Sequence, residues 1–315
     1  MLALAGCILL WPNQQTYAAE LQKDNYNGWY YENGQAYWYD NGVLARSKEV
    51  YDPQTDAWYW FEADGTMARD KDVFIVLNAD GTGKWTRYDS DGRMVKGESY
   101  KNGAWYYFDL TTGAMAKGFV NLPQSDDPNG KWVYYDPITG KMQYGEQYID
   151  GYWYYFDVNG TMLTGWQKLA NDWYYLYDTG EMAAGWAKIN GQWYYFWPLT
   201  ENGHTQGTMA YGGWKIIGAD YYFFREDGSL YTGWLEQNGS WYYLNTLDNS
   251  LQGTMFTGWL IREGKTYFLD ADGVMATGWY QVDGNWYYFW PDSGEMAKNQ
   301  YINGFYVNED GIWYR

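Results

Sequence analysis

Apolar positions in this chain fall in short runs bounded by turn residues, and the runs recur about every 20 residues from near residue 28 to the end. The stretch from Thr164 to Met182 shows the unit most cleanly: Gly165-Trp166 opens it, Trp173-Tyr174-Tyr175-Leu176 forms its centre, and Asp178-Thr179-Gly180 precedes Met182. Aromatic and β-branched runs of this length favour strands, and the Asp-x-Gly segment supplies a turn because Gly tolerates positive φ. A second turn is marked by Asn190-Gly191, Asn238-Gly239 and Asp283-Gly284 just before the aromatic run, leaving only about five residues for the Gly-Trp strand. Each unit is therefore expected to be a β-hairpin plus a link. No segment sustains a helical period.

Register survives insertions. Trp166 to Trp186, Trp214 to Trp234 and Trp259 to Trp279 are each 20 residues apart, whereas Trp234 to Trp259 is 25. After each aromatic run comes a Gly and, two residues on, one apolar slot, filled by Met67, Met94, Met115, Met142, Met162, Met182, Met209, Leu230, Met255, Met275 and Met296. An isolated hairpin of this size is marginal in water, so the units must stack on one another. The fold class expected is all-β, a β-hairpin solenoid of about twelve repeats, with the Met slot serving packing between repeats. Residues 20–164 hold divergent units with Gly97-Glu98, Gly118-Phe119 and Gly145-Glu146 where later units have Gly-Trp; residues 165–315 hold regular units ending in a cap.

Residues 1–19 stand apart. Leu2 to Trp11 is apolar and Ala18-Ala19 is a plausible cleavage zone, so this stretch is expected to be a signal peptide, although it lacks a basic start. Leu4-Ala5-Gly6-Cys7 also has the form of a lipoprotein box. Cys7 is the only cysteine, so removal of the leader leaves no thiol chemistry. No other stretch is long and apolar enough to span a bilayer as a helix. The expected location is outside the cell.

Aromatic residues make up 23% of the chain, so rings rather than aliphatic side chains must supply most of the buried apolar area. A formal net charge of -18 argues against nucleic acid or an anionic membrane as partner. Acidic residues sit mainly in turns such as Ala63-Asp64-Gly65 and Ala271-Asp272-Gly273.

Catalytic chemistry finds little support. His204 is the only histidine, which excludes a histidine triad and a histidine zinc cluster. Glu98 and Glu146 each precede an aromatic run, but both occupy one repeat position and so read as variants of the Trp slot, not as a hydrolytic pair. Asp270-Ala271-Asp272-Gly273 lacks the remaining spacing of a calcium loop. No metal and no cofactor is expected.

What such an array can do is present rings at fixed intervals. Trp166 and Trp173 lie on the two legs of one hairpin and can face each other at its edge; with a ring from the neighbouring unit they form a box. Such a box attracts a quaternary ammonium by roughly 0.5 to 2 kcal/mol per face. It can also hold the flat face of a sugar.

The pattern Thr-Gly-Trp, Asn-Gly-x-Trp-Tyr-Tyr-Phe/Leu and Asp-x-x-Gly-x-Met resembles the choline-binding, or cell-wall-binding, repeat of Gram-positive surface proteins and phage lysins, over residues 28–315. The resemblance implies cages built from the Gly-Trp tryptophan, the first aromatic of the following run and an aromatic of the next repeat. Carried onto this chain, the pairs are Trp166/Trp173, Trp186/Trp193, Trp234/Trp241 and Trp279/Trp286. The implied next-repeat rings are Tyr195, Tyr222 and Phe268 for the first three, with Phe305-Tyr306 available to the fourth. Trp214 and Trp259 lack a second Trp, with Asp220 and Thr266 taken as its replacements, while Trp105 and Trp153 lack the first. The implied function is non-catalytic attachment to choline-bearing teichoic or lipoteichoic acid at the cell surface. Related repeats bind glucans, so a glycan ligand stands as the alternative, as does a role as the binding part of a wall hydrolase or adhesin.

Overall fold

Residues 25–124, 128–200 and 203–314 are described by the computed structural model; the candidate leader lies outside them. Among the described residues there are 28 short strands, the first Gly28–Glu32 and the last Trp313–Tyr314. They pair only with near neighbours, giving eleven two-stranded antiparallel hairpins and a three-stranded sheet at each end. Strands Gly165–Leu169 and Asp172–Leu176 are typical: Gly165 pairs with Leu176, Trp166 with Tyr175, Lys168 with Trp173 and Leu169 with Asp172. Two-residue loops close such hairpins. Asn190 and Gly191 both take positive φ, 49° and 82°, the type I′ geometry that matches strand twist and that Asn-Gly adopts at least cost.

A hairpin does not close a core by itself. Past each hairpin the chain turns and returns to the slot residue, which bridges back to its own hairpin, as in Leu176 with Met182. The same residue donates its backbone N–H to the hairpin before: Met182 to the Trp153 carbonyl, Met209 to Trp173, Leu230 to Trp193 and Met275 to Trp241, each at 2.8 Å. The slot side chain then covers the turn of the unit that follows. A Cβ placed on Gly207 would lie 2.2 Å from Met182 Sδ, and one on Gly228 would lie 2.2 Å from Met209 Sδ. The slot methionine thus packs between repeats, as its recurrence in the sequence implies. Around it lie small clusters such as Ala183, Ala187, Ile189, Phe196 and Met209, with Trp166, Tyr175 and Tyr194 against them.

Contacts divide the chain into two units. One comprises the described residues up to Gln147 together with Phe156–Met162; the other comprises Tyr148–Tyr155 and the described residues from Leu163 onward. Each is a stack of hairpins of the kind just described. In the first, the cluster Leu122, Val133, Tyr135 and Met142 is typical, with Tyr107 and Val120 packed on it.

Acidic turns are built, not merely solvated. Asp109 Oδ1 accepts from the backbone N–H groups of Thr111 and Thr112 and from the Thr112 hydroxyl, and Asp136 is held in the same way by Ile138 and Thr139. These bonds, the Thr112 and Thr139 N–H foremost, hold both carboxyls below the usual range. Much of the negative charge therefore belongs to the turn chemistry.

Three outcomes follow for stability. Met182→Ala removes the contact with the next turn and is expected to cost about 2 to 5 kcal/mol, read by chemical unfolding. Gly207→Ala combines a clash with φ of +78° and is expected to destabilise as well. Tyr88 and Tyr135 are fully buried, and burial pushes both phenols above the ordinary value of 10.0. Because the folded state holds those protons more tightly than the unfolded chain, their contribution is complete below about pH 10 and is lost as pH rises beyond it. The Tyr135 hydroxyl has no hydrogen-bond partner, so Tyr135→Phe should leave the melting temperature unchanged or raised and should flatten the alkaline loss.

Candidate functional site

Strand alternation decides which rings can meet. Trp166 and Lys168 lie two residues apart on one strand, and their register partners Tyr175 and Trp173 share their face. The Trp166 and Trp173 ring centroids are 6.4 Å apart at 84°, with Tyr175 5.1 Å from Trp166. Trp173 stays 39% exposed, so this edge is open to solvent. The neighbouring hairpin closes the other side with Tyr194, 4.9 Å from Trp166, and Phe196 at 5.8 Å.

The next hairpin repeats the arrangement. Trp186 and Trp193 lie 6.4 Å apart at 87°, and Tyr222 is 4.9 Å from Trp186. Trp186, Trp193, Tyr222 and Leu230 line a cavity of about 350 Å³, whose remaining wall is the loop carrying Asp248, Asn249, Ser250 and Gln252. At Trp234 the neighbouring ring is Tyr267, at 4.9 Å, and Trp241 stands exposed across from Glu236. Trp279 and Trp286 line a cavity of about 270 Å³ with Phe305 and Trp313.

Two of the expected neighbouring rings are misplaced by one residue. Tyr195 does not face Trp166; it is the cross-strand partner of Trp186, 5.1 Å away inside its own hairpin. Phe268 likewise sits 5.0 Å from Trp259 in its own hairpin and leaves the Trp234 position to Tyr267. The reason is pleating, because the first and second residues after the leading Trp point to opposite faces, and only the first looks back to the preceding unit. Tyr222 meets Trp186 because the run Tyr221-Tyr222-Phe223 begins with Tyr221 in the leading position, across from Ile216. Tyr221, not Asp220, thus replaces the second Trp of the Trp214 unit, and its carbonyl takes the slot bond from Met255. Thr266 does stand at that place in the Trp259 unit, across from Ile261. Trp313, delivered by the last strand, was not foreseen; only its lone Trp after the final turn marks it in the sequence.

Charge around the rings differs from hairpin to hairpin. Lys168 Nζ is 6.0 Å from the centre of the Trp173 ring and Lys188 Nζ is 5.7 Å from that of Trp193. At the equivalent places the later units carry Glu236 and Gln281. Burial raises the phenols of Tyr194 and Tyr222 above their usual value, so both are neutral throughout the physiological range. His204 is stacked flat on Trp197 at 3.9 Å. Among the described residues no group of three or more His, Cys, Asp or Glu could hold a metal, and no helix is long and apolar enough to cross a membrane.

The first hairpin of the first unit lacks the leading ring. Trp29 packs at 4.7 Å on Tyr59 as Trp166 does on Tyr194, but Ala36 stands in the leading aromatic position and Trp29 Nε1 donates to Asp52 at 2.9 Å. At the Trp166 position stand Glu49 across from Trp60, Asp72 across from Arg87 and Glu98 across from Tyr107.

Stacked hairpins with open clefts between indoles define a class of repeat proteins that bind small ligands between successive units. The sequence profile of the choline-binding repeat matches residues 80–118, 163–203, 211–251 and 252–301, a little over half of the chain, and a cell wall binding repeat profile matches residues 54–67 and 147–162. The chain belongs to the choline-binding repeat family. Among solved structures it is similar to choline binding protein F of Streptococcus pneumoniae, determined in the presence of a peptidoglycan analogue, with 26% identity, coverage of 91% of this chain and 98% of that one, and a TM-score of 0.52. CbpJ of Streptococcus pneumoniae TIGR4 is 27% identical over 91% of this chain and 100% of that one, with a TM-score of 0.43. The choline binding domain of Spr1274 of the same species is 44% identical over 27% of this chain and 96% of that one, with a TM-score of 0.24. No curated protein matches.

The geometry separates ring from scaffold. Trp173→Ala removes one open wall while Trp166 keeps its packing on Tyr194, so affinity at that site should fall by at least about 1 kcal/mol, or roughly fivefold, with little change in melting temperature. Site-resolved titration beside thermal unfolding checks both halves.

Proposed function

We propose that Trp166/Trp173 with Tyr194, Trp186/Trp193 with Tyr222, Trp234/Trp241 with Tyr267, and Trp279/Trp286 with Phe305 and Trp313 each receive one choline headgroup. The observation that carries this reading is the pair of near-perpendicular indoles closed by a ring of the next hairpin, seen at Trp166 and again at Trp186. A trimethylammonium group donates no hydrogen bond and is satisfied by ring faces alone. The protein is a non-catalytic choline-binding repeat module, secreted and held without covalent linkage on choline-bearing teichoic or lipoteichoic acid. Several weak sites on one chain give firm attachment to a polymer because later contacts form at high effective concentration.

Calorimetric titration with choline tests the reading. Neither the ligand nor the indoles titrate and burial holds the Tyr194 and Tyr222 phenols neutral, so affinity should vary little between about pH 6 and 8 and weaken only modestly with salt. Absence of heat, or a steep pH profile in that window, would overturn it.

A second reading, glycan binding, is supported by exposed ring pairs in the first unit: Tyr51/Trp58 at 5.4 Å, and Phe74/Trp85 and Tyr100/Trp105 at 5.3 Å each. They occupy the register held by Lys168 and Trp173 in the second unit. Retention on dextran that disappears in Trp85→Ala and Trp105→Ala would support it; passage of the unaltered protein through the resin would remove it.

A further inference from the structure

Carboxylates fill the Trp166 position at Glu49, Asp72, Glu98 and Glu146, and the first three have a basic partner. Lys84 Nζ lies 3.0 Å from Glu49 Oε1 and donates to the Thr112 carbonyl at 2.8 Å, while the Tyr88 hydroxyl donates to the same Glu49 oxygen. Lys131 Nζ lies 3.7 Å from Glu98 Oε1. Both lysines have mostly buried side chains, 14% and 17% exposed. Both also occupy one register position near the start of a second strand, across from Ile75 and Leu122 respectively. Each therefore reaches from its own hairpin into the space above the preceding one, the space closed by two indoles in the second unit. Asp72 is paired within its hairpin: Arg87 donates to both carboxylate oxygens at 2.7 and 3.0 Å, and its guanidinium lies 4.3 Å from the centre of Tyr106, the ring equivalent to Tyr194.

We infer that Lys84 and Lys131 are internal ammonium ligands, so that two cage positions of the first unit are occupied by the chain itself and become sites for a small external alkylammonium when the lysine is shortened. The argument is one of charge and space. Where the second unit offers neutral ring faces to a mobile cation, the first unit offers a carboxylate with a fixed counter-charge, mostly buried and 3.0 Å from its lysine at Glu49, and 47% exposed and 3.7 Å from its lysine at Glu98. A lysine supplies it on a tether, at no cost of ligand association, and excludes choline by volume and by pairing. Shortening the lysine leaves Glu49 or Glu98 beside an indole, Trp58 or Trp105, that is about 40% exposed. A carboxylate next to an accessible ring is a site for a cation with a short apolar tail.

This inference borrows the cage register from the proposed function, and hydrogen-exchange mass spectrometry on the full chain separates the two. With choline, the unaltered protein should exchange more slowly across residues 165–290 and unchanged across 48–61 and 97–108. Choline protection of those two earlier segments in the unaltered protein would overturn the inference. In Lys84→Ala, exchange across 48–61 should accelerate several-fold, and ethylammonium chloride should return it towards the original rate whereas ethanol should not. No acceleration, or equal action of ethanol and ethylammonium, would also overturn it. Lys131→Ala, read across 97–108, gives the same decision should Lys84→Ala fail to fold. If choline protects no segment at all, the proposed choline cages fall, while the ethylammonium response still decides the role of the lysines.

Discussion

The structure depends on one recurring hydrogen bond, from the N–H of each slot residue to the carbonyl of the leading aromatic in the hairpin before. Among the described residues neighbouring hairpins share no strand ladder, so their backbones are otherwise joined mainly by chain connectivity and side-chain contact. The bond persists when the accepting residue is not a tryptophan, as at Tyr221, Thr266 and Ala36. Its geometry is a property of the backbone, which frees the side chain at that position. That freedom is why a position inside the scaffold can also serve as the wall of a binding cleft.

Division of labour among the rings follows. Fully buried Phe196, Phe224 and Phe289 close the stack, Tyr194 and Tyr222 pack on an indole of the preceding unit, and Trp173, Trp241 and Trp286 stay partly in water. Cavities at Trp186 and at Trp279 open beside the outer indoles Trp193 and Trp286. Ordinary core packing tolerates few such voids. Both cavities lie at one register of the repeat.

Much of this was legible in the residues. The aromatic runs, the Asn-Gly turns and the Met slot specify hairpins, their spacing specifies the stack, and the seven-residue separation made the approach of Trp166 to Trp173 and of Trp186 to Trp193 legible. The identity of the third ring was not, because Tyr194 and Tyr195 are chemically the same and only the pleat distinguishes them. Asp220 was assigned to a position held by Tyr221, although Trp214 and Tyr221 keep the seven-residue spacing of Trp166 and Trp173; Asp220 stands in the strand-opening place of Asp172. The partners of Glu49 and Glu98 lie 35 and 33 residues away in sequence, beyond anything a local pattern encodes. Trp313 joins the last cleft through a return strand, which the two-stranded hairpins lack.

The link between hairpin and slot varies in length without disturbing phase. It is six residues from Leu176 to Met182, thirteen from Phe196 to Met209 and eleven from Leu244 to Met255, yet all three slot residues make the same bridge and the same backward bond. An insertion here is absorbed as a surface loop, because both ends of the link are pinned independently of what lies between them. One such loop brings Asp248, Asn249, Ser250 and Gln252 to the rim of the Trp186 cleft. The repeat thus carries a variable region beside an invariant frame, much as antibody loops ride on a sandwich. Selection can retune one cleft at a time, in charge or in reach, while every other unit keeps its fold.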